Sequence, residues 1–381
     1  MTNLPGDACL VGRLWRAGIG PSVVTLRDGH LWDITSPAAP TMRDLLEQAD
    51  IPGFVATIPG EDLGPAAAFL AMREPDPDAT HLLAPCDLQA VKACGVTFAR
   101  SMIERVIEER AGGDPARAAD VRDRVTGAIG DSLRALVPGS AQAAEVKQML
   151  QAEGLWSQYL EVGIGPDAEV FTKCPPMAAV GHGAAVGLHP VSRWNNPEPE
   201  VVLAVDSTGR IVGATLGNDV NLRDVEGRSA LLLGKAKDNN ASAAIGPFIR
   251  VFDAGFGLDQ VRHLEVTLTV TGTDGFAMTG HSRMAEISRD PADLVAQTRG
   301  RHHQYPDGLM LYLGTMFAPV QDRDGPGLGF THHLGDVVTI SAPELGALVN
   351  VVRLATEAPE WVFGAGALMR NLAGRGVSDQ I

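Results

Sequence analysis

Apolar and polar residues alternate with a period near two over residues 9–15 (CLVGRLW) and 22–35 (SVVTLRDGHLWDIT), with Gly, Pro and Asp-Gly as breaks. That pattern predicts strands joined in hairpins. Helical spacing takes over in 41–49 (TMRDLLEQA) and 61–72 (EDLGPAAAFLAM). Together these segments predict a small N-terminal α+β domain over residues 1–80, closed by the linker-like stretch REPDPDATH. Residues 81–381 then form a larger second domain. Its first part, 99–160, is helical in three segments separated by Gly-Gly-Asp-Pro and Pro-Gly-Ser, and Asp114 and Pro115 suit an N-cap and a first helical turn. From residue 167 short apolar runs recur between Gly, Asn and Asp turns, among them EPEVVLAVD, RIVGATLGND, HLEVTLTVTG, LMLYLGT and LVNVVRLA. The regular βαβα alternation of a doubly wound fold is missing. The expected class is α+β and β-rich, with a sandwich, roll or barrel at its centre.

Composition narrows the partners. A net charge of -15 disfavours nucleic acid and anionic membrane, both of which require a basic face. It leaves room for a small anionic substrate, because a metal ion or a few buried lysines reverse the local field. No apolar run approaches the roughly 18 residues of a membrane span. The N-terminus lacks a basic region followed by an apolar run, so a cytoplasmic location is expected. Cys9, Cys86, Cys94 and Cys174 show no zinc spacing and are expected as free thiols.

The chemistry concentrates in residues 169–247. Glu198 and Glu200 lie two apart at the start of an apolar strand, which puts both carboxylates on one face. Such a pair repels itself unless a cation or protons neutralise it. Oxygen-only ligands point to Mg²⁺, with Mn²⁺ or Ca²⁺ possible; an isolated ExE equally suits a solvated strand edge. A hairpin through RIVGATLG returns the chain and offers Asp219 to the same ion, although a turn Asp at a helix start reads the same way. Arg223 and Asp224 suit a local pair. Lys237 is of a type that can orient a metal-bound anion or stabilise developing negative charge, although a lone lysine in a polar loop more often reads as a surface residue. Glu169 and Lys173 are four apart in a strand entering a Pro-rich loop, and His182, between two glycines, is a candidate acid or base.

These residues resemble the fumarylacetoacetate hydrolase family over roughly residues 85–355. The carrying pattern is Glu198-x-Glu200, Asp219 within NDVNLRD, and Lys237 ten residues before Pro247 of Gly246-Pro247. The fold so implied is a mixed β-roll with a small N-terminal α+β domain. CGVTFARSMIER, GHG, WNNPEPE, AKDNNASAAIGPF and HHQYPDGLMLYLGT resemble the branch that dehydrates 2-keto-3-deoxy-pentonates in oxidative xylose and arabinose degradation. The resemblance implies metal on Glu198, Glu200 and Asp219; Glu169, Lys173 and Lys237 around the reacting carbons; Ser101, Arg105 and Thr315 near a 2-oxo sugar acid; and a homodimer or homotetramer. The family's C–C hydrolases carry a His–Glu pair after a G-x-[NT]-[YF] segment. Here Gly95-Val96-Thr97-Phe98 is followed by Ala99-Arg100-Ser101 with no His. Elimination of water is therefore expected ahead of the alternative, hydrolysis of a 2,4-diketo acid.

Overall fold

The N-terminal alternation folds into β1 (Leu10–Arg16), β2 (Gly20–Arg27) and β3 (His30–Asp33), an antiparallel meander. The computed structural model describes residues 4–6, 8–118, 122, 136–152, 154, 156–316 and 319–377. Two short helices follow, α1 (Met42–Leu46) and α2 (Ile51–Thr57), capped by the side chains of Thr41 and Asp50. The single helix expected over 61–72 is instead β4 (Glu61–Pro65) followed by α3 (Ala66–Leu70). Gly64 sits at φ +96°, outside helical space, and the run before it pairs with β3.

Next come β5 (His81–Leu83), β6 (Ala90–Gly95), β7 (Glu169–Cys174), β8 (Ala185–Leu188), β9 (Pro199–Val205), β10 (Ile211–Asp219) and β11 (Ala243–Val251). The last strands are β12 (Glu265–Thr271), β13 (Ala277–Arg283), β14 (Leu309–Tyr312), β15 (Val337–Ala342) and β16 (Gly346–Leu354). Among the described residues they make two sheets. One runs β4-β3-β2-β1-β11-β10-β9-β14-β6-β7, with β5 also on β1; the other runs β13-β12-β15-β16-β8. Pairing is antiparallel except for β14 with β6 and β16 with β8.

Because β1 pairs with β11, the N-terminal strands extend the large sheet, and the boundary expected near residue 80 marks no break in it. One apolar cluster crosses that boundary, packing Met42, Leu45 and Val55 against Val202, Ala204 and Tyr312. The opposite face of β9 carries Val201, Leu203 and Val205 into a second cluster with Val266, Leu268 and Ile340 of the smaller sheet. Every residue of β9 is thus buried, at about 1.5–3 kcal/mol for each large aliphatic side chain. A strand covered on both sides is a dry platform.

The helical region is borne by α4 (Ala99–Ala111), which stops at Gly112 in the left-handed region, φ 66°. Helices Ala141–Ala152 and Gln158–Ile164 follow, and Met102, Val106 and Ile107 pack on Tyr159, Leu160 and Ile164. Of the segment expected as a helix over 116–137, residues 119–121 and 123–135 lie outside the described residues. All four cysteines are free. Among the described residues no helix is long and apolar enough to cross a membrane.

Candidate active site

The register of β9 against β10 builds the cluster. Gly217 lies opposite Glu200, and the Asp219 amide donates to the Glu198 carbonyl at 3.1 Å. Opposed residues of an antiparallel pair share a face, so Glu198, Glu200 and Asp219 all point one way. Reciprocal backbone bonds between Asn196 and Asn221, both 3.1 Å, close the ladder beyond them. One oxygen from each of the three carboxylates lies within 4.8 Å of the other two. The side chains are 1–2% exposed. Gly314, at φ +100°, donates its amide to Glu200 Oε2 at 2.7 Å. A Cβ there would collide with Thr97 Oγ1, and that hydroxyl donates to the Leu313 carbonyl at 2.6 Å, fixing the turn.

Three cations meet the carboxylates. Lys237 Nζ donates to Glu198 Oε2 at 2.5 Å and to Asp219 Oδ2 at 3.1 Å. Lys173 Nζ lies 2.8 Å from Asp219 Oδ1, off hydrogen-bonding geometry, and donates instead to the Lys237 carbonyl. Arg105 Nη2 donates to Glu198 Oε1, while its Nη1 donates to Glu108 at 2.6 Å and lies 3.0 Å from Glu226 Oε2. Glu169 lines the same cleft, with Phe171, Glu226 and Thr315. A Cβ at Gly95 would run into the Glu169 carboxylate, so the glycine gives that side chain its place.

Burial, then the charges of Asp219 and Glu198, pushes the Glu200 carboxyl well above the carboxylate range. Burial also raises Glu169, with Arg105 opposing, and lifts Glu226 to about 7, again against Arg105. Asp219 goes the other way: burial raises it, but Lys173 and Lys237 together hold it below its ordinary value. Lys237 is raised, since Asp219 and Glu198 outweigh its own burial. By residue count Glu169, Glu198, Glu200, Asp219 and Glu226 outnumber Arg105, Lys173 and Lys237 by two, an excess that either protons on the raised carboxyls or one divalent cation balances. The donor set is all oxygen, and Asp219 Oδ1 is held only by its ion pair with Lys173. Glu198, Glu200 and Asp219 therefore suit a hard divalent ion.

Two of the expected site residues lie elsewhere. His182 is buried between the carbonyls of Leu70 (2.9 Å from Nε2) and Ala347 (3.0 Å from Nδ1), and the Val349 amide donates to Nδ1 at 3.3 Å. Burial keeps its pKa low, and a neutral ring with its proton on Nε2 satisfies Leu70 and accepts from Val349. It pins α3 to β16. Ser101 sits in the first turn of α4 and returns its hydroxyl to the Phe98 carbonyl at 2.9 Å. Arg105 and Thr315 do line the cleft, but the Arg105 guanidinium is already taken up by three carboxylates. Arg223 and Asp224 do not pair with each other. Arg223 binds Glu108 at 2.6 Å and Glu104 at 3.1 Å, while Asp224 accepts from Ser192 and the Arg193 amide. Glu226 and Glu108 escaped the sequence reading. Their one signal is spacing, each three residues after an arginine. A wider surface cleft beside Asp50, Arg210 and Asp253 holds no such cluster, and its charged groups are partnered locally.

A two-sheet mixed fold bearing a buried, all-oxygen carboxylate cluster defines the class. The fumarylacetoacetate hydrolase C-terminal family model matches residues 161–353, half of the chain, and the protein belongs to that family. Two curated relatives are each 30% identical: 2-dehydro-3-deoxy-D-arabinonate dehydratase of Saccharolobus solfataricus, over 49% of this chain, and a probable 2-keto-3-deoxyxylonate dehydratase of Haloferax volcanii, over 51%. The matches span 58% and 63% of those relatives' lengths. Among solved structures, 2-keto-3-deoxy-D-arabinonate dehydratase complexed with magnesium and 2,5-dioxopentanoate superposes with a TM-score of 0.61 at 20% identity. It covers 91% of this chain and 99% of that one. A fumarylacetoacetate hydrolase from Exiguobacterium antarcticum gives 0.56 at 16%, covering 91% and 100%. These likenesses establish the fold.

Proposed function

We propose that this protein is a divalent-metal-dependent dehydratase of a 2-keto-3-deoxy-pentonate, converting it to 2-oxoglutarate semialdehyde and water. The observation that carries the reading is the buried Glu198–Glu200–Asp219 cluster with its two-carboxylate excess, ringed by Glu169 and Lys237. The names of both curated relatives support the reaction class. A divalent cation held by the three carboxylates supplies Lewis-acid polarisation of a 2-oxo carbonyl, with Mg²⁺ the first choice and Mn²⁺ or Ca²⁺ alternatives. The remaining chemistry falls to the chain. Glu169, a half-buried carboxyl of raised pKa at the cleft wall, takes the C3 proton. Lys237 balances negative charge developing on the 2-oxo oxygen, and Lys173 fixes the Lys237 backbone from below. The C4 hydroxyl leaves as water, and the C3 proton and that hydroxyl are the atoms lost. Movement of a proton from C5 to C3 then gives the C4–C5 enol, and transfer of the enol hydroxyl proton to C4 leaves the C5 aldehyde.

Elimination is preferred to hydrolysis because Ser101 occupies the stretch where a water-activating histidine is expected, and its hydroxyl is turned to the helix backbone. The relevant form of the protein is a homodimer or homotetramer in the cytoplasm. Chelation by EDTA is expected to abolish turnover and Mg²⁺ to restore it, and mass spectrometry is expected to show a single five-carbon aldehyde acid as product. Full activity in metal-free buffer, or release of two acids from a diketo acid in preference, would refute this reading.

A further inference from the structure

Behind the cleft, α4 presents Glu104, Arg105 and Glu108 to the short helix Arg223–Glu226. Glu108 is 1% exposed, yet both its oxygens are used. Oε2 accepts from Arg105 Nη1 and Oε1 from Arg223 Nε, each at 2.6 Å. Two buried guanidiniums therefore share one carboxylate, and the pair of arginine charges holds Glu108 ionised against its burial. The other arm of Arg105 rests on Glu198 Oε1, one of the three cluster carboxylates. Arg223 continues away from the cluster to Glu104 and the Pro319 carbonyl, with its guanidinium over the Trp194 ring.

We infer that Glu108 is a positioning residue for the metal centre: it anchors and partly neutralises Arg105, so that Arg105 orients Glu198 without withdrawing it from the metal. The inference rests on the metal-site reading above. With Glu108 ionised, the Arg105 charge is divided among Glu108, Glu198 and Glu226. Without it, the guanidinium has only Glu198 and Glu226 to satisfy it, and its Nη1 loses its closest partner. It then competes with a divalent cation for Glu198 and is free to swing. Both effects weaken cation binding. Partners of this kind, one step removed from the ion, typically alter metal affinity 10–100-fold.

The test is calorimetric titration of Mg²⁺, with no substrate, into the EDTA-stripped and desalted full-length protein. Glu108→Gln is expected to bind Mg²⁺ at least about tenfold more weakly than wild type, with Glu108→Asp in between. Glu104→Gln is the charge-matched control. It removes one carboxylate a helical turn away, from the side that serves Arg223 and Arg122, and is expected to bind Mg²⁺ close to wild type. Far-UV circular dichroism checks folding. If Glu108→Gln does not fold, Glu108→Asp, which keeps the charge but shortens the reach, carries the test. Wild-type affinity in the folded Glu108 variant would overturn the inference, and so would an equal loss in Glu104→Gln. A wild-type protein that takes up no Mg²⁺ would instead refute the metal site itself.

Discussion

Glu226 offers a direct measurement of what the buried charge cluster costs. Its carboxyl is pushed from 4.5 to about 7, first by burial, with Arg105 and Lys237 opposing. A carboxyl whose folded pKa lies above its unfolded one keeps a proton that the unfolded chain has released. Stability therefore falls as pH rises through the window between the two values, here about pH 4.5 to 7. A span of about 2.5 pH units at about 1.4 kcal/mol each gives about 3 kcal/mol lost by pH 8. Glu200 and Glu169 act in the same direction. Asp219 and Glu108 are lowered, so their contribution is already complete above the ordinary carboxylate range and is lost only below this window. His182 and His332, both lowered by burial, work the other way near pH 6, because the unfolded chain takes up protons that they refuse.

The comparison that isolates Glu226 is with Glu226→Gln, which resembles the protonated side chain at every pH. Urea unfolding in EDTA, extrapolated to water at half-unit steps from about pH 5 to 8, gives the two stability curves. They should coincide near pH 5 and then diverge, the glutamine variant becoming more stable by about 3 kcal/mol at pH 8. Distant titrating groups cancel in the difference, which therefore reports Glu226 together with the neighbours its charge shifts. A flat difference across the window, or wild type gaining on the variant as pH rises, would show that Arg105 and Lys237 outweigh burial and that Glu226 is an ordinary ionised partner.

Two other substitutions separate chemistry from architecture. Lys237→Ala should lower steady-state turnover of the Mg²⁺-loaded enzyme at least about tenfold, about 1.4 kcal/mol of barrier, and a rate near wild type would remove Lys237 from the reaction. His182→Ala strips donor and acceptor from the α3–β16 contact and should cost on the order of 2 kcal/mol in urea unfolding, while calorimetric Mg²⁺ affinity stays at the wild-type value; weakened Mg²⁺ binding would tie His182 to the metal centre after all.

How far the sequence reveals this site depends on how local each relation is. Glu198 and Glu200 are legible because a strand's period is two, and Asp219 because one hairpin connects it to them. Lys237 is legible only through the family resemblance, by its distance to Gly246-Pro247. The commitments of Arg105 are not legible, since Glu198 lies 93 residues away and only the packing of α4 brings them together. Glu108 and Arg223, 115 residues apart, meet for the same reason. Glu226 in isolation reads as a surface residue of a short helix, and nothing in RDVE announces that it is buried beside Arg105 and Lys237. The pairing of β1 with β11 joins residues 10 and 250, a contact no local pattern encodes, so the continuity of the sheet across residue 80 is not legible in the sequence. His182 between glycines carries the local signature of a reactive loop residue, and only its bonds to the Leu70 carbonyl and the Val349 amide, 112 and 167 residues distant, show it to be a tether.

The cluster's burial and its charge explain each other. β9 is covered on both faces, so carboxylates at its entrance are drawn into a medium where an unpaired charge is costly. Solvent alone would let Glu198, Glu200 and Asp219 repel one another at little cost and bind nothing tightly. Dryness makes their excess charge expensive, and a divalent cation recovers that cost on binding. The same dryness requires backing, because mobile carboxylates would relax apart. The Gly314 amide fixes Glu200, Lys173 and Lys237 fix Asp219, and Arg105 fixes Glu198. Of these, the Arg105 guanidinium is the one held from behind by a buried carboxylate that faces away from the cleft, and that carboxylate, Glu108, is in turn held by Arg223. The affinity of the centre for its ion is thus set partly on α4, outside the strands that supply the ligands.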